Sequence, residues 1–175
     1  AIRQNDADCL NGSVAVFTTR LDDMFHKNLR ELPPFGDTLG MDWVESVEDQ
    51  VRVRLCPSDR VRLSKSVDAY HPGAILATLD NACGWCIRQH PRYTDGTSMA
   101  TLNLRVDLLE RAPMTGPLLV TARCDSYDGE VAHVRGEARY EDSQHMVATV
   151  QATFMLGTPN LPREALETAS QETSR

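Results

Sequence analysis

The feature that most limits what this chain of 175 residues can fold into is a change of hydrophobic period near residue 100. From there to residue 156, apolar side chains recur at every second position, broken only by short polar turns. Leu102, Leu104, Val106 and Leu108 alternate with Thr101, Asn103, Arg105 and Asp107. Leu118, Val120, Ala122 and Cys124 alternate with Leu119, Thr121, Arg123 and Asp125. Val134, Gly136, Ala138 and Tyr140 oppose His133, Arg135, Glu137 and Arg139, and Met146, Ala148, Val150, Ala152, Phe154 and Leu156 form a last, longer run. Period two sends successive side chains to opposite faces, so each run predicts a strand with one buried face. Tyr127-Asp128-Gly129-Glu130 and Glu141-Asp142-Ser143-Gln144 are turn sequences that fold consecutive strands back on each other.

Ahead of the strands, the period is helical. In HPGAILATLDNACG and the residues after it, Ile75, Leu76, Leu79, Ala82, Cys83, Cys86 and Ile87 make a broad apolar face from Pro72 to about Arg88. Pro72 suits a first helical turn, and Gly84 predicts close packing against something flat, such as a sheet. Earlier, Val14, Phe17, Leu21, Met24, Phe25, Leu29 and Leu32 predict another helix over 13–32, with Ser13 as its N-cap and Pro33-Pro34 ending it. Two short strands are expected between Thr38 and Leu55, with Met41, Trp43, Val51, Val53 and Leu55 as core candidates, before a turn at Cys56–Asp59. The residues between that turn and the helix are given no element. The architecture expected is α+β: one antiparallel sheet of five or six strands with the long helix on one face. An N-terminal helical extension (1–37) precedes this domain (38–157), and a polar tail follows (158–175).

Composition narrows the function. A net charge of −7 and a pI near 5.2 argue against general nucleic-acid binding, which needs a basic surface. No apolar run approaches the roughly 18 residues of a membrane span, and the polar start AIRQNDADCLNGS does not read as a secretory signal. Five cysteines, at 9, 56, 83, 86 and 124, are odd in number and irregularly spaced, and read as reduced thiols of a cytoplasmic protein.

Chemistry concentrates at His71-Pro72-Gly73 and Asp80. A helix start offers unpaired N–H groups and a positive dipole end to an oxygen carrying negative charge. Asp80 lies two to three turns on, at the boundary of the apolar face, where a charge is costly unless it is used. Three other groups are read as structural. Cys83-Gly84-Trp85-Cys86 resembles a redox C-x-x-C, but falls well inside a helix on its apolar stripe rather than at an N-terminus that would lower a thiol pKa. No second such pair, and no ligand beyond His90, completes a metal site. Arg123, Arg135 and Arg139 sit on polar strand faces and read as a solvated surface.

The helix motif H-P-G-x(6)-D, the strand TLNLRVDLLERA and the order of elements together resemble the hotdog-fold acyl-CoA thioesterases, in particular the phenylacetate-type (PaaI-like) branch. Gln151-Ala152-Thr153-Phe154 echoes the ending of that family's last strand. The resemblance covers roughly residues 38–157. It implies a hotdog fold, a sheet wrapped around one long helix. It also implies hydrolysis of an acyl-CoA or acyl thioester, with CoA entering only as part of the substrate and no separate cofactor or metal. Asp80 would act as general base or nucleophile. The Gly73 amide would polarise the carbonyl, His71 would order the site, and Thr101 would face Asp80 from a partner chain. The assembly implied is a homodimer or a dimer of dimers, and no residue is nominated to bind CoA.

This chain departs from the family pattern twice. Pro72 stands where a glycine amide is usual, and proline has no N–H. Lys65 stands where an Asn or Gln is common, leaving Ser64 or Ser66 to replace it. Two alternatives follow: a non-catalytic acyl-CoA-binding hotdog module, and a hotdog hydratase or dehydratase. The second fits poorly because Asp68 precedes His71 by only three residues.

Overall fold

The computed structural model describes residues 34–47 and 50–158. The helix expected over 13–32 and the tail beyond Thr158 lie outside them. In chain order the elements are α1 (Pro34–Leu39), β1 (Met41–Val47), β2 (Gln50–Leu55), β3 (Arg62–Ser64), β4 (Val67–Tyr70) and α2 (Pro72–Arg88). Then come β5 (Met99–Leu108), β6 (Leu118–Tyr127), β7 (Val131–Tyr140) and β8 (Met146–Leu156). Six strands form one antiparallel sheet in the order β1-β2-β6-β7-β8-β5, while β3 and β4 pair as a separate hairpin. The chain has the α+β hotdog arrangement, with α2 lying on one face of the sheet.

The alternation explains the layers. Val51, Val53 and Leu55 pair with Ala122, Val120 and Leu118, and these in turn oppose Gly136, Ala138 and Tyr140. The apolar members of these rows are buried and pack with Ile75, Leu79, Ala82, Cys83 and Ile87 of α2. Thr78, the one polar side chain among the fully buried described residues, satisfies its hydroxyl on the Ala74 carbonyl at 2.8 Å. Trp85 meets Trp43 edge to face, ring centroids 5.5 Å apart. Gly136 is fixed by space: a Cβ there would lie 2.5 Å from the Thr121 carbonyl oxygen and 3.2 Å from Ala122 Cα.

Several expectations change. Pro34 opens a short helix, α1, that the sequence did not announce, using the tolerance of the first helical turn for a residue without N–H. Thr38 and Leu39 are therefore helical, and the first strand starts at Met41. A Cβ on Gly84 would meet Met99 Sδ at 3.8 Å, an ordinary contact, so no close approach requires this glycine. The β3–β4 hairpin is an element that polar and short segments did not announce. Cys83, Cys86 and Cys124 are in no disulfide, but Cys56 is disulfide-bonded, which overturns the reading of every cysteine as a reduced thiol. An odd count conceals a pair when spacing is the only guide. No helix among the described residues is long and apolar enough to cross a membrane.

The most consequential change is a bulge in β5. Thr101 pairs with Phe154 and Asn103 with Thr153, so Leu102 is an extra residue. N-terminal to the bulge the alternation reverses. Thr101, expected on the outer face, turns toward α2. Leu102, expected in the core, is 53% exposed.

Candidate active site

The start of α2 is held from several directions. The Tyr70 N–H donates to the Ala112 carbonyl at 2.8 Å, and its hydroxyl bonds the carbonyls of Leu55 (3.1 Å) and Gly116 (2.9 Å). The His71 N–H donates to Val61 at 2.7 Å. His71 is the N-cap, with φ −68° and ψ 129°, and its exposed ring lies over the first turn, where Nδ1 accepts from the Gly73 N–H at 3.0 Å. Ala74 and Ile75 both donate to the His71 carbonyl, at 2.9 and 3.3 Å. Pro72 has no N–H. Every backbone donor of the first turn is therefore absent or already used, and the Gly73 amide expected to polarise a carbonyl is one of those in use.

Asp80 is half-buried. Its Oδ1 accepts from the Thr101 hydroxyl at 3.1 Å. Burial pushes the Asp80 carboxyl above its ordinary range, and the Thr101 bond, which favours the charged form, offsets part of the rise. Both residues belong to one chain. The expectation that Thr101 would reach Asp80 from a partner is corrected by the β5 bulge, which turns the hydroxyl inward toward its own α2.

The helix and the strand run side by side. Gly73, Leu76, Asp80 and Gly84 recur at three- and four-residue intervals and share one stripe of α2. Gly84 lies by Met99, and Asp80 by Thr101. One helical turn of four residues rises about 6 Å, close to the rise of two strand residues, so the two elements stay in step. Leu76, placed by its spacing in the buried face, is 44% exposed one turn before Asp80. It gives the carboxylate an exposed apolar neighbour on its own helix that periodicity did not reveal, because Leu76 fits a core pattern.

The remaining candidates fall elsewhere. Lys65 is exposed in the β3–β4 turn, between Ser64 and Ser66, whose hydroxyls face each other at 3.2 Å. Cys83 and Cys86 are buried, and burial pushes the Cys83 thiol far above its ordinary value, away from thiolate chemistry. On the outer sheet face Arg123 and Arg135 pair with Asp125, at 3.5 and 3.0 Å, and Arg139 pairs with Glu137. A depression on that face, lined by Gln50, Arg52, Thr121, Glu137 and Arg139, lies across the sheet from Asp80. Among the described residues no cluster of three His, Cys, Asp or Glu could hold a metal ion.

No protein-family model and no curated protein sequence matches the chain. Solved structures do. A thioesterase from Haemophilus influenzae superposes with a TM-score of 0.65 at 13% identity, covering 83% of this chain and 96% of that one. A phenylacetic acid degradation-related protein from Ralstonia eutropha JMP134 gives 0.63 at 27% identity, covering 75% and 98%. A thioesterase family protein from Silicibacter pomeroyi gives 0.63 at 18%, covering 77% and 93%. The chain shares the hotdog fold of these proteins over nearly their whole length.

Proposed function

We propose that this hotdog-fold chain hydrolyses an acyl-CoA, or a related acyl thioester, to a free acid and a thiol. The observation that carries the reading is the Asp80–Thr101 pair: a carboxylate made more basic by burial, oriented by a hydroxyl, with the exposed Leu76 one turn back on the same stripe. As a general base, Asp80 would take a proton from water as its oxygen bonds to the thioester carbon. The tetrahedral intermediate would then expel the thiolate, which takes up a proton. As a nucleophile, Asp80 would first form a mixed anhydride with loss of the thiol, and water would then cleave it.

One helix cannot supply both halves of such a site. Its start and Asp80 are separated by seven residues from Gly73, a rise of roughly 10 Å. A base and an oxyanion donor acting on one carbonyl each need to come within about 3 Å of it. A second copy resolves this, with the helix start of one protomer facing the Asp80–Thr101 pair of the other. β5 is an edge strand, and Leu76, Leu102, Leu108 and Leu109 are exposed beside it, which supports a twofold dimer joined there. A dimer of dimers would repeat this unit.

The occupied amides at the helix start favour one second reading, a module that binds acyl thioesters without cleaving them. Thiol release from a panel of aliphatic and aromatic acyl-CoAs separates the two. The description of the Ralstonia protein as related to phenylacetic acid degradation gives arylacetyl thioesters a place on that panel. Hydrolysis by the native protein, reduced about 10²–10⁴-fold in Asp80→Asn, is the expected result. Binding without thiol release would favour the module, and full activity in Asp80→Asn would remove Asp80 from the chemistry.

A further inference from the structure

We propose that the His71 imidazole, through Nε2–H, is the hydrogen-bond donor to the thioester carbonyl oxygen, in the role a backbone amide would otherwise fill. This rests on the hydrolase reading above. The argument starts from what the first turn of α2 lacks. Pro72 has no N–H, Gly73 donates to Nδ1, and Ala74 and Ile75 donate to the His71 carbonyl. No backbone donor of that turn is left for a ligand.

The same bond that occupies Gly73 prepares the ring. A backbone N–H only donates, so Nδ1 must present its lone pair, and the proton of the neutral ring resides on Nε2. Among the described residues nothing bonds Nε2, and the ring is exposed. It therefore carries a donor of fixed tautomer at the positive end of the helix dipole. Gly73 is what allows the ring to lie there, since a Cβ at that position would sit 3.0 Å from Nδ1 and 3.2 Å from Cε1. The backbone beneath is tied by the His71 and Tyr70 amides to Val61 and Ala112.

Such a donor is aimed before substrate arrives and strengthens as charge develops on the carbonyl oxygen, which is the condition for lowering a barrier rather than for tighter ground-state binding. His71 transfers no proton in this scheme. The Gly73 amide acts through it, by fixing the tautomer and the ring plane.

Two substitutions divide the ring into its parts. His71→Asn keeps an oxygen where Nδ1 accepts from Gly73, and Asn is a strong N-cap, but it lacks the distal N–H. His71→Gln places an amide N–H near the position of Nε2. The expected result is a kcat lower by about 10²–10³-fold in His71→Asn, with KM changed little, and partial recovery of kcat in His71→Gln. A His71→Asn enzyme with native kcat, or two variants equally impaired, would overturn the donor role. Imidazole nitrogen NMR shifts of the native protein give a test independent of any variant's folding: a protonated Nε2 is expected, and a protonated Nδ1 in the neutral ring would overturn the proposal. If Asp80→Asn abolishes turnover while His71→Asn does not affect it, only the donor role fails. A native protein that cleaves no thioester overturns both readings.

Discussion

Replacing Thr101 by Val tests the site at its best-defined contact. Valine keeps the β-branched shape and the strand preference of threonine while deleting the hydroxyl that donates to Asp80 Oδ1 at 3.1 Å. A hydrogen bond to a charged group contributes about 1.5–3 kcal/mol in a buried setting. Asp80 is only half-buried, so screening reduces this to about 1 kcal/mol. About 1 kcal/mol is roughly a fivefold change in the ionisation equilibrium, so the Asp80 carboxyl should be harder to ionise in the variant. The sign follows from the bond's preference for the ionised form: without it the proton is held more tightly, above a value that burial has already raised. If the ionised carboxylate is the active form, the acid limb of kcat against pH moves alkaline. The rate falls about fivefold on the limb and much less on the alkaline plateau. A pH series of thiol release for native, Thr101→Val and Thr101→Ser proteins measures this, with Ser restoring the native limb. A Thr101→Val profile lowered equally at every pH would refute the electrostatic account and leave only a positional one.

Two stability predictions are independent of substrate. Gly136→Ala forces a Cβ against the Thr121 carbonyl oxygen and Ala122 Cα, neither of which can move without shifting β6. The expected loss is about 2–3 kcal/mol, read by calorimetry as a fall in Tm of about 5–10 °C, and an unchanged Tm would contradict the packing described. Tyr70→Phe removes the hydroxyl shared by the Leu55 and Gly116 carbonyls and should lower unfolding free energy by about 1–2 kcal/mol, with the urea midpoint as the measure.

Much of this fold was legible because its strands carry unbroken alternation. Rows such as Leu118, Val120 and Ala122 on β6, or Ala148 to Leu156 on β8, need no tertiary information to assign a face. What escaped was whatever breaks the count. The bulges after Thr101 and Cys124 reverse the phase of their strands, so Leu102 leaves the core and Tyr127, read as a turn residue, enters it. The β3–β4 hairpin escaped because Arg62–Ser64 and Val67–Tyr70 are too short to show a period. At the site, the N-terminus of α2 and Asp80 could be placed from sequence. That the His71 ring would take the Gly73 amide could not, because the choice of partner depends on a side-chain rotamer.

The bulge in β5 sets two demands against each other. Without the extra residue's displacement, the N-terminal part of the strand would continue its alternation, turning Leu102 toward the core face and Thr101 away from Asp80. Burying a leucine side chain completely contributes about 1.5–3 kcal/mol, but β5 is an edge strand on which Leu108, in the inward phase, is itself 46% exposed. A regular register would therefore recover only part of that. The bulge forgoes little packing to bring the Thr101 hydroxyl onto Asp80, and it leaves Leu102 on the face that the proposed dimer would cover.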